Sequence, residues 1–188
     1  WKNIFSGTWH ISFDLIKKIF LLSWPAALVQ VSWNASYIIL YNILGHLRQE
    51  SITAMAAFTN SLRIEAIIYL PAFALNMAAS VLTGQNLGAG APERAEKIGW
   101  KISFSGVAFV SAMALPIFIW AGDISSPVAK DPLVLDETVR YLRIMMLSEP
   151  FLALSVILGG CLQGAGDTKG AMLVIISALW IIRLPLAY

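Results

Sequence analysis

The sequence predicts an all-α integral membrane protein, a helical bundle of about five transmembrane helices. Three observations carry that prediction. The 188 residues are 58 % hydrophobic and only 13 % charged, against about 25 % charged in a soluble domain. Mean hydropathy is +0.72. The apolar residues gather in five long, nearly uncharged runs, and a bilayer core takes about 20 such residues as a helix. One run would suit the buried core helix of a soluble protein, but five would leave too little polar surface. The runs are continuous, which favours helices over the alternating segments of a membrane barrel.

Taken in order, residues 1–18 mix Trp1, Ile4, Phe5, Trp9, Ile11 and Phe13 with polar residues. They read as a linker, interfacial or cytoplasmic, with Trp and Lys as anchors. Residues 19–188 form the transmembrane part. The first helix is expected over 19–45, in a run without Lys, Arg, Asp or Glu. The second is expected over 51–88, with Arg63, Glu65 and Pro71 inside it. The third covers 97–121, and Pro127 and Pro132 mark the polar connection that follows. The fourth covers 136–163 and holds Glu149 beside Pro150. The fifth covers 169–188, with Arg183 near its end. Alternation sorts the basic residues into two sides. Lys2, Lys17, Lys18, Arg94, Lys97, Lys101 and Lys169 share one; Arg48, Lys130, Arg140 and Arg143 share the other. The richer side reads as cytoplasmic, so the chain starts there.

Several function classes are excluded. A net charge of +2 is too small for a nucleic-acid binder. A single cysteine, Cys161, excludes an internal disulfide and a Cys-based metal site. His10 and His46 fall on opposite sides of the membrane, so no nucleophile–His–acid set forms. No catalytic residue, metal site or cofactor is expected. No cleavable signal peptide is visible. A chain that begins with Trp1 reads as a piece of a longer one.

Two loops on the cytoplasmic side repeat a pattern: Gly84-Gln85-Asn86-Leu87-Gly88-Ala89-Gly90-Ala91-Pro92 and Leu162-Gln163-Gly164-Ala165-Gly166-Asp167-Thr168. Each ends a membrane helix with Gly-Ala-Gly, where glycine takes the left-handed conformation that caps orphan carbonyls. Pro92 and Asp167 suit the start of the next helix. Neither loop has the Gly-Lys-Ser/Thr ending of a phosphate cradle.

Polar residues inside the spans are costly, so they face a neighbouring helix or a wet cavity. Gln30, Asn34, Tyr37 and Tyr41 share one face of the first span, and Glu65, Tyr69, Asn76, Ser80 and Thr83 form a similar stripe on the second. Gln30, Asn34, Tyr37, Arg63, Glu65 and Asn76 are therefore candidate cleft-lining residues. Glu65 and Glu149 are candidates for proton coupling. The alternatives are helix–helix hydrogen bonds for the amides, and for Glu149 an interfacial acid beside Arg140 or Arg143.

These motifs resemble the multidrug and toxic compound extrusion (MATE) family of secondary transporters. The resemblance is carried by Leu22-Ser-Trp-Pro-Ala-Ala-Leu28, Arg63-Ile64-Glu65, the string from Ala78 to Ala95, Leu162-Gln-Gly-Ala-Gly-Asp-Thr168 and Arg183-Leu-Pro-Leu-Ala-Tyr188. It covers the chain from about Asp14 onward. It implies a fold of two six-helix lobes facing a central cleft, with this chain as an incomplete second lobe whose partner, the first lobe, is missing. The implied activity is export of lipophilic or cationic organic compounds against protons or sodium ions, across the plasma (inner) membrane. Some members place an acid in this lobe's first helix, where Gln30 and Asn34 stand here. Some place an Asp near the position of Leu152, and the nearest acid here is Glu149. That departure favours a coupling acid in the first lobe. Two further readings are a lipid-linked saccharide flippase of the same superfamily and a nonfunctional truncated module.

Overall fold

The computed structural model describes residues 13–46 and 51–183, so the expectations for residues 1–12, Arg48 and 184–188 lie outside the described residues. The described chain is helical almost throughout. α1 runs Phe13–Gly45, α2 Ser51–Gly88, α3 Pro92–Ile119, α4 Ala121–Ser125, α5 Pro132–Gly164 and α6 Thr168–Ser177, followed by a π-helical turn Ala178–Arg183. α1, α2, α3 and α5 are long and apolar enough to cross a membrane. Of the fifth expected span, 169–188, the described part is α-helical to Ser177 and π-helical over Ala178–Arg183, and residues 184–188 lie outside the described residues.

The helix ends follow from local chemistry. α2 and α5 both finish in the same left-handed glycine cap. Gly90 has φ 71° and Gly166 φ 83°. Around Gly90, the Ala91 and Gly90 N–H groups donate to the carbonyls of Asn86 and Leu87. Around Gly166, those of Asp167 and Gly166 donate to Leu162 and Gln163. Each is a Schellman closure, in which the left-handed residue turns the chain so that two late carbonyls find donors. At α6, the Asp167 carboxylate then accepts from the Gly170 N–H at 2.8 Å, a cap for the first turn.

The starts of α1, α3 and α5 lie earlier than the apolar runs indicate. α3 begins at Pro92, not 97, because Pro at the first helical position needs no donor partner. α5 begins at Pro132, not 136, with the Asp131 side chain accepting from the Leu133 N–H at 2.8 Å. α1 begins at Phe13, six residues ahead of the expected span. In all three cases the helix runs beyond the apolar slab. A 38-residue helix such as α2 is roughly 57 Å long at 1.5 Å per residue, well beyond a hydrocarbon core of about 30 Å.

The core is a three-helix contact of α2, α3 and α5. Ile64, Ile68 and Ala72 of α2 meet Val110, Ala114 and Ile117 of α3 and Leu142, Met146 and Ala153 of α5. α3 turns a narrow stripe inward: Ala95, Gly99, Ser103, Gly106, Val110, Ala114 and Ile117 are its buried residues. A side chain at Gly106 would run into Ile157 and Leu75, so that glycine lets three helices meet. Between apolar lipid and apolar side chains there is little hydrophobic gain; close packing of small residues supplies the association. The outer faces stay apolar, with Phe104, Phe109 and Leu115 on α3 and Leu147 and Phe151 on α5 exposed. That is a lipid-facing surface. The membrane assignment stands on it and on the four spans. α1 is held differently, since its buried residues are only Pro25 and Ser36.

Candidate functional site: a cleft between three helices

Between α1 and the α2–α5 pair lies a cleft of about 780 Å³. Its walls are helical stripes. From α1 come Gln30, Trp33, Tyr37, Leu40, Ile43 and Leu44; from α2, Phe58, Leu62, Glu65, Ala66 and Tyr69; from α5, Tyr141, Met145, Ser148 and Leu152. Most steps are of three or four residues, which keep side chains on one helix face.

Aromatic rings build one end of the cleft. Phe58 is buried and acts as a hub. Tyr41 meets it edge-on at 5.2 Å, Tyr141 edge-on at 5.4 Å, and Tyr37 at a tilt at 6.3 Å between centroids. Trp33 stacks on Tyr37 at 6.0 Å. The hub therefore joins α1, α2 and α5. One hydrogen bond adds to it: Tyr41 Oη and Thr59 Oγ1 are 3.0 Å apart. Thr59 already donates its only hydroxyl proton to the Met55 carbonyl at 2.7 Å, so Tyr41 is the donor.

Two carboxyls, one on α2 and one on α5, are buried. Glu65 lines the cleft and is 8 % exposed. Glu149 is 0 % exposed, and neither of its carboxyl oxygens has a hydrogen-bond partner among the described residues. It is the chain neighbour of Ser148, which lines the cleft, and does not line the cleft itself. It is not the interfacial acid that the sequence left open: Arg140 pairs with Glu137 at 3.4 Å on the surface, and Arg143 is exposed.

Of the sequence-predicted lining residues, Gln30, Tyr37 and Glu65 meet in this cleft. Three others lie elsewhere. Asn34 is exposed and donates to the Gln30 carbonyl at 2.8 Å, a bond within its own helix. Arg63 is exposed on α2 and turned away from Glu65, as two-residue spacing on a helix requires. Asn76 is buried and donates to the Val156 carbonyl at 2.6 Å, tying α2 to α5. The rings of Trp33, Phe58 and Tyr141 were missed because aromatic residues in apolar runs read as lipid or core contacts. Extending the Gln30–Tyr37 stripe by helical steps would have found Trp33.

Chemically, the cleft offers π faces, one amide and one carboxyl, and no Lys, Arg or His among the described lining residues. Such a wall suits an apolar body, and the rings and carboxyl favour positive charge on it.

The family model MatE matches residues 25–188. The chain belongs to the MatE family. Among curated relatives it is similar to a probable multidrug resistance protein NorM of Mannheimia succiniciproducens, 27 % identical over 92 % of this chain and 37 % of the relative. It is 25 % identical to a probable NorM of Thermotoga maritima, over 92 % of this chain and 36 % of the relative. A FAD transporter of Shewanella oneidensis is also 25 % identical, over 90 % of this chain and 37 % of the relative. The chain spans a little over a third of the length of these three relatives. It is a multi-pass MatE membrane segment, and the repeated Gly-Ala-Gly caps lie inside the matched region.

Proposed function

We propose that this chain is the incomplete second lobe of a secondary antiporter that exports lipophilic, cationic organic compounds in exchange for protons or sodium ions. The observation that carries the reading is the cleft itself, aromatic on three sides with the Glu65 carboxyl in its wall and no basic residue among its described lining. The names of the NorM relatives support drug export. The missing first lobe of the same chain closes the cleft from the other side, and a bound cation shifts the balance between outward- and inward-facing states by its differential affinity. The basic residues near the Gly-Ala-Gly caps support a reading in which that end faces the cytoplasm and the protein sits in the inner membrane.

A lipid-linked saccharide flippase needs a cationic cavity for its diphosphate, and Arg63 is exposed outside this cleft. The experiment is efflux of a cationic dye from cells that carry either the two-lobe protein or this 188-residue chain alone. Efflux is expected from the former and absent from the latter, since half a cleft cannot alternate. Within the two-lobe protein, Glu65→Gln weakens efflux more than Glu149→Gln. Efflux by the single chain would overturn the one-lobe assignment, and the reverse ranking would move coupling to α5.

A further inference from the structure

α3 turns its small residues inward, and its outward face is graded from charge to ring to hydrocarbon. Arg94, Lys97 and Lys101 follow at steps of three and four, so they form one row along two turns. All three are exposed, and none is ion-paired among the described residues. Glu93, four residues before Lys97, is the acid on that face; Glu96, two residues from Arg94, does not face it. On the neighbouring stripe, Trp100 and Phe104 stack at 5.6 Å between centroids, with both rings exposed. Phe109 and Leu115 carry the exposed apolar surface farther along α3. Beside the start of the row, the α2–α3 turn leaves a surface hollow of about 470 Å³ with Arg94 and Lys97 in its lining. The other Gly-Ala-Gly joint is built differently: Lys169 is the base in α6, and α6 has no aromatic residue.

We propose that this face of α3 is a seat for one anionic phospholipid. The headgroup phosphate lies against Arg94, Lys97 and Lys101, and the upper part of an acyl chain lies along the Trp100–Phe104 pair. Length fits that occupant. Lys97 to Phe104 spans roughly 10 Å of helix at 1.5 Å per residue, and crossing from headgroups into hydrocarbon takes about 5–8 Å. Charge fits it as well. Three cations stand against one acid on the face, an excess that an anionic headgroup answers and a zwitterionic one does not. A free phosphate would use the cations but leave the exposed rings idle. Trp suits the boundary itself, where its ring meets apolar chains and its N–H meets water. A single exposed cation is worth little, because water and salt screen it. Cations on one row at a membrane surface add, at about fivefold in affinity each. A lipid held there anchors the α2–α3–α5 core in one leaflet. The seat is independent of what the lobe transports, so it does not rest on the antiporter reading.

The test is native mass spectrometry of the purified two-lobe protein after incubation in detergent with equal amounts of phosphatidylglycerol and phosphatidylcholine. Arg94→Gln, Lys97→Gln and Lys101→Gln together are expected to retain one phosphatidylglycerol fewer than the unmutated protein, with affinity at this site lowered at least about tenfold. Phosphatidylcholine retention is expected to stay the same. The charge-keeping set Arg94→Lys, Lys97→Arg and Lys101→Arg is expected to restore the lipid, which separates lost charge from lost folding. Lys169→Gln, at the other joint, is expected to retain as much phosphatidylglycerol as the unmutated protein. Trp100→Ala with Phe104→Ala is expected to weaken retention while keeping the preference for the anionic headgroup. Inorganic phosphate, against chloride at the same ionic strength, is expected to leave the lipid in place. Equal phosphatidylglycerol counts in the triple Gln variant and the unmutated protein, or an equal loss in Lys169→Gln, would overturn the seat. Displacement by inorganic phosphate, or unchanged retention without the two rings, would overturn the lipid as its occupant. None of these results bears on the antiporter reading, which the efflux comparison tests.

Discussion

α2 and α5 run side by side, yet their two halves are built to opposite rules. Toward the Gly-Ala-Gly caps the backbones nearly touch. A side chain on Gly160 would run into the Asn76 carbonyl, and one on Gly164 into that of Ser80, while Gly84 lies against Gly164. Asn76, Ser80 and Gly84 recur every fourth residue, as do Gly160 and Gly164. This is a small-residue seam that locks two helices as one rigid unit. In the other half the residues that face the cleft are large, with rings from three helices in place of glycines. One helix pair thus supplies both a closely packed base and a hollow wall. Of the four long helices, α1 buries the least.

The largest effect should come from breaking the seam. Gly164→Leu drives a side chain into the Ser80 backbone, which cannot rotate aside, and is expected to cost about 4 kcal/mol. Ala66→Leu adds one carbon less, to the cleft wall, where there is space, and should cost less than about 1 kcal/mol. Thermal unfolding in detergent, followed by fluorescence-detected size exclusion, compares the two. Equal losses would mean that the halves do not differ as described.

The seam and the cleft were not equally legible beforehand. The spans, the glycine caps and the polar stripes follow from run length, φ-permissive residues and helical spacing. Which part of a stripe meets which neighbour does not. Gln30 and Asn34 are one turn apart, yet only Gln30 lines the cleft. Asn76 continues the stripe of Glu65 but is spent on the Val156 carbonyl. That choice is made by how the helices pack on one another, a tertiary property. The starts of α3 and α5 were missed for another reason. The first turn of α3 carries Glu93 and Arg94, and the start of α5 is followed at once by Asp136 and Glu137, so hydropathy alone is blind to them, although Pro92 and the Asp131–Pro132 pair carry the cap signal.

A middle-sized effect should sharpen the role of the aromatic half. Phe58→Ala removes the ring that touches Tyr37, Tyr41 and Tyr141. In water a buried Phe→Ala change costs about 3–5 kcal/mol. Inside a bilayer the transfer part largely vanishes, because lipid is as apolar as the core, and lost packing remains. A loss of about 2 kcal/mol is therefore expected. The signature is where it appears: hydrogen exchange should rise along α1 and stay unchanged in the α2–α3–α5 core. Faster exchange in α3 would show that Phe58 supports the core and does not fasten α1 to it.

The smallest effect isolates the Tyr41–Thr59 hydrogen bond beside that hub. Thr59 has committed its proton to the Met55 carbonyl, so the 3.0 Å contact exists only while Tyr41 donates. Tyr41→Phe keeps the ring against Phe58 and removes that donor alone. Thr59 then loses an accepted bond but keeps its own donation, and both residues are only half-buried, so the cost is expected at about 0.5 kcal/mol. Thr59→Val removes the acceptor instead, and the double variant should cost less than the sum of the two singles by about the same 0.5 kcal/mol. A double-mutant cycle on unfolding in detergent reads this directly. Zero coupling would leave ring packing as what fastens α1 at that end of the cleft, and the small-residue seam would remain the stronger of the two devices by a wider margin.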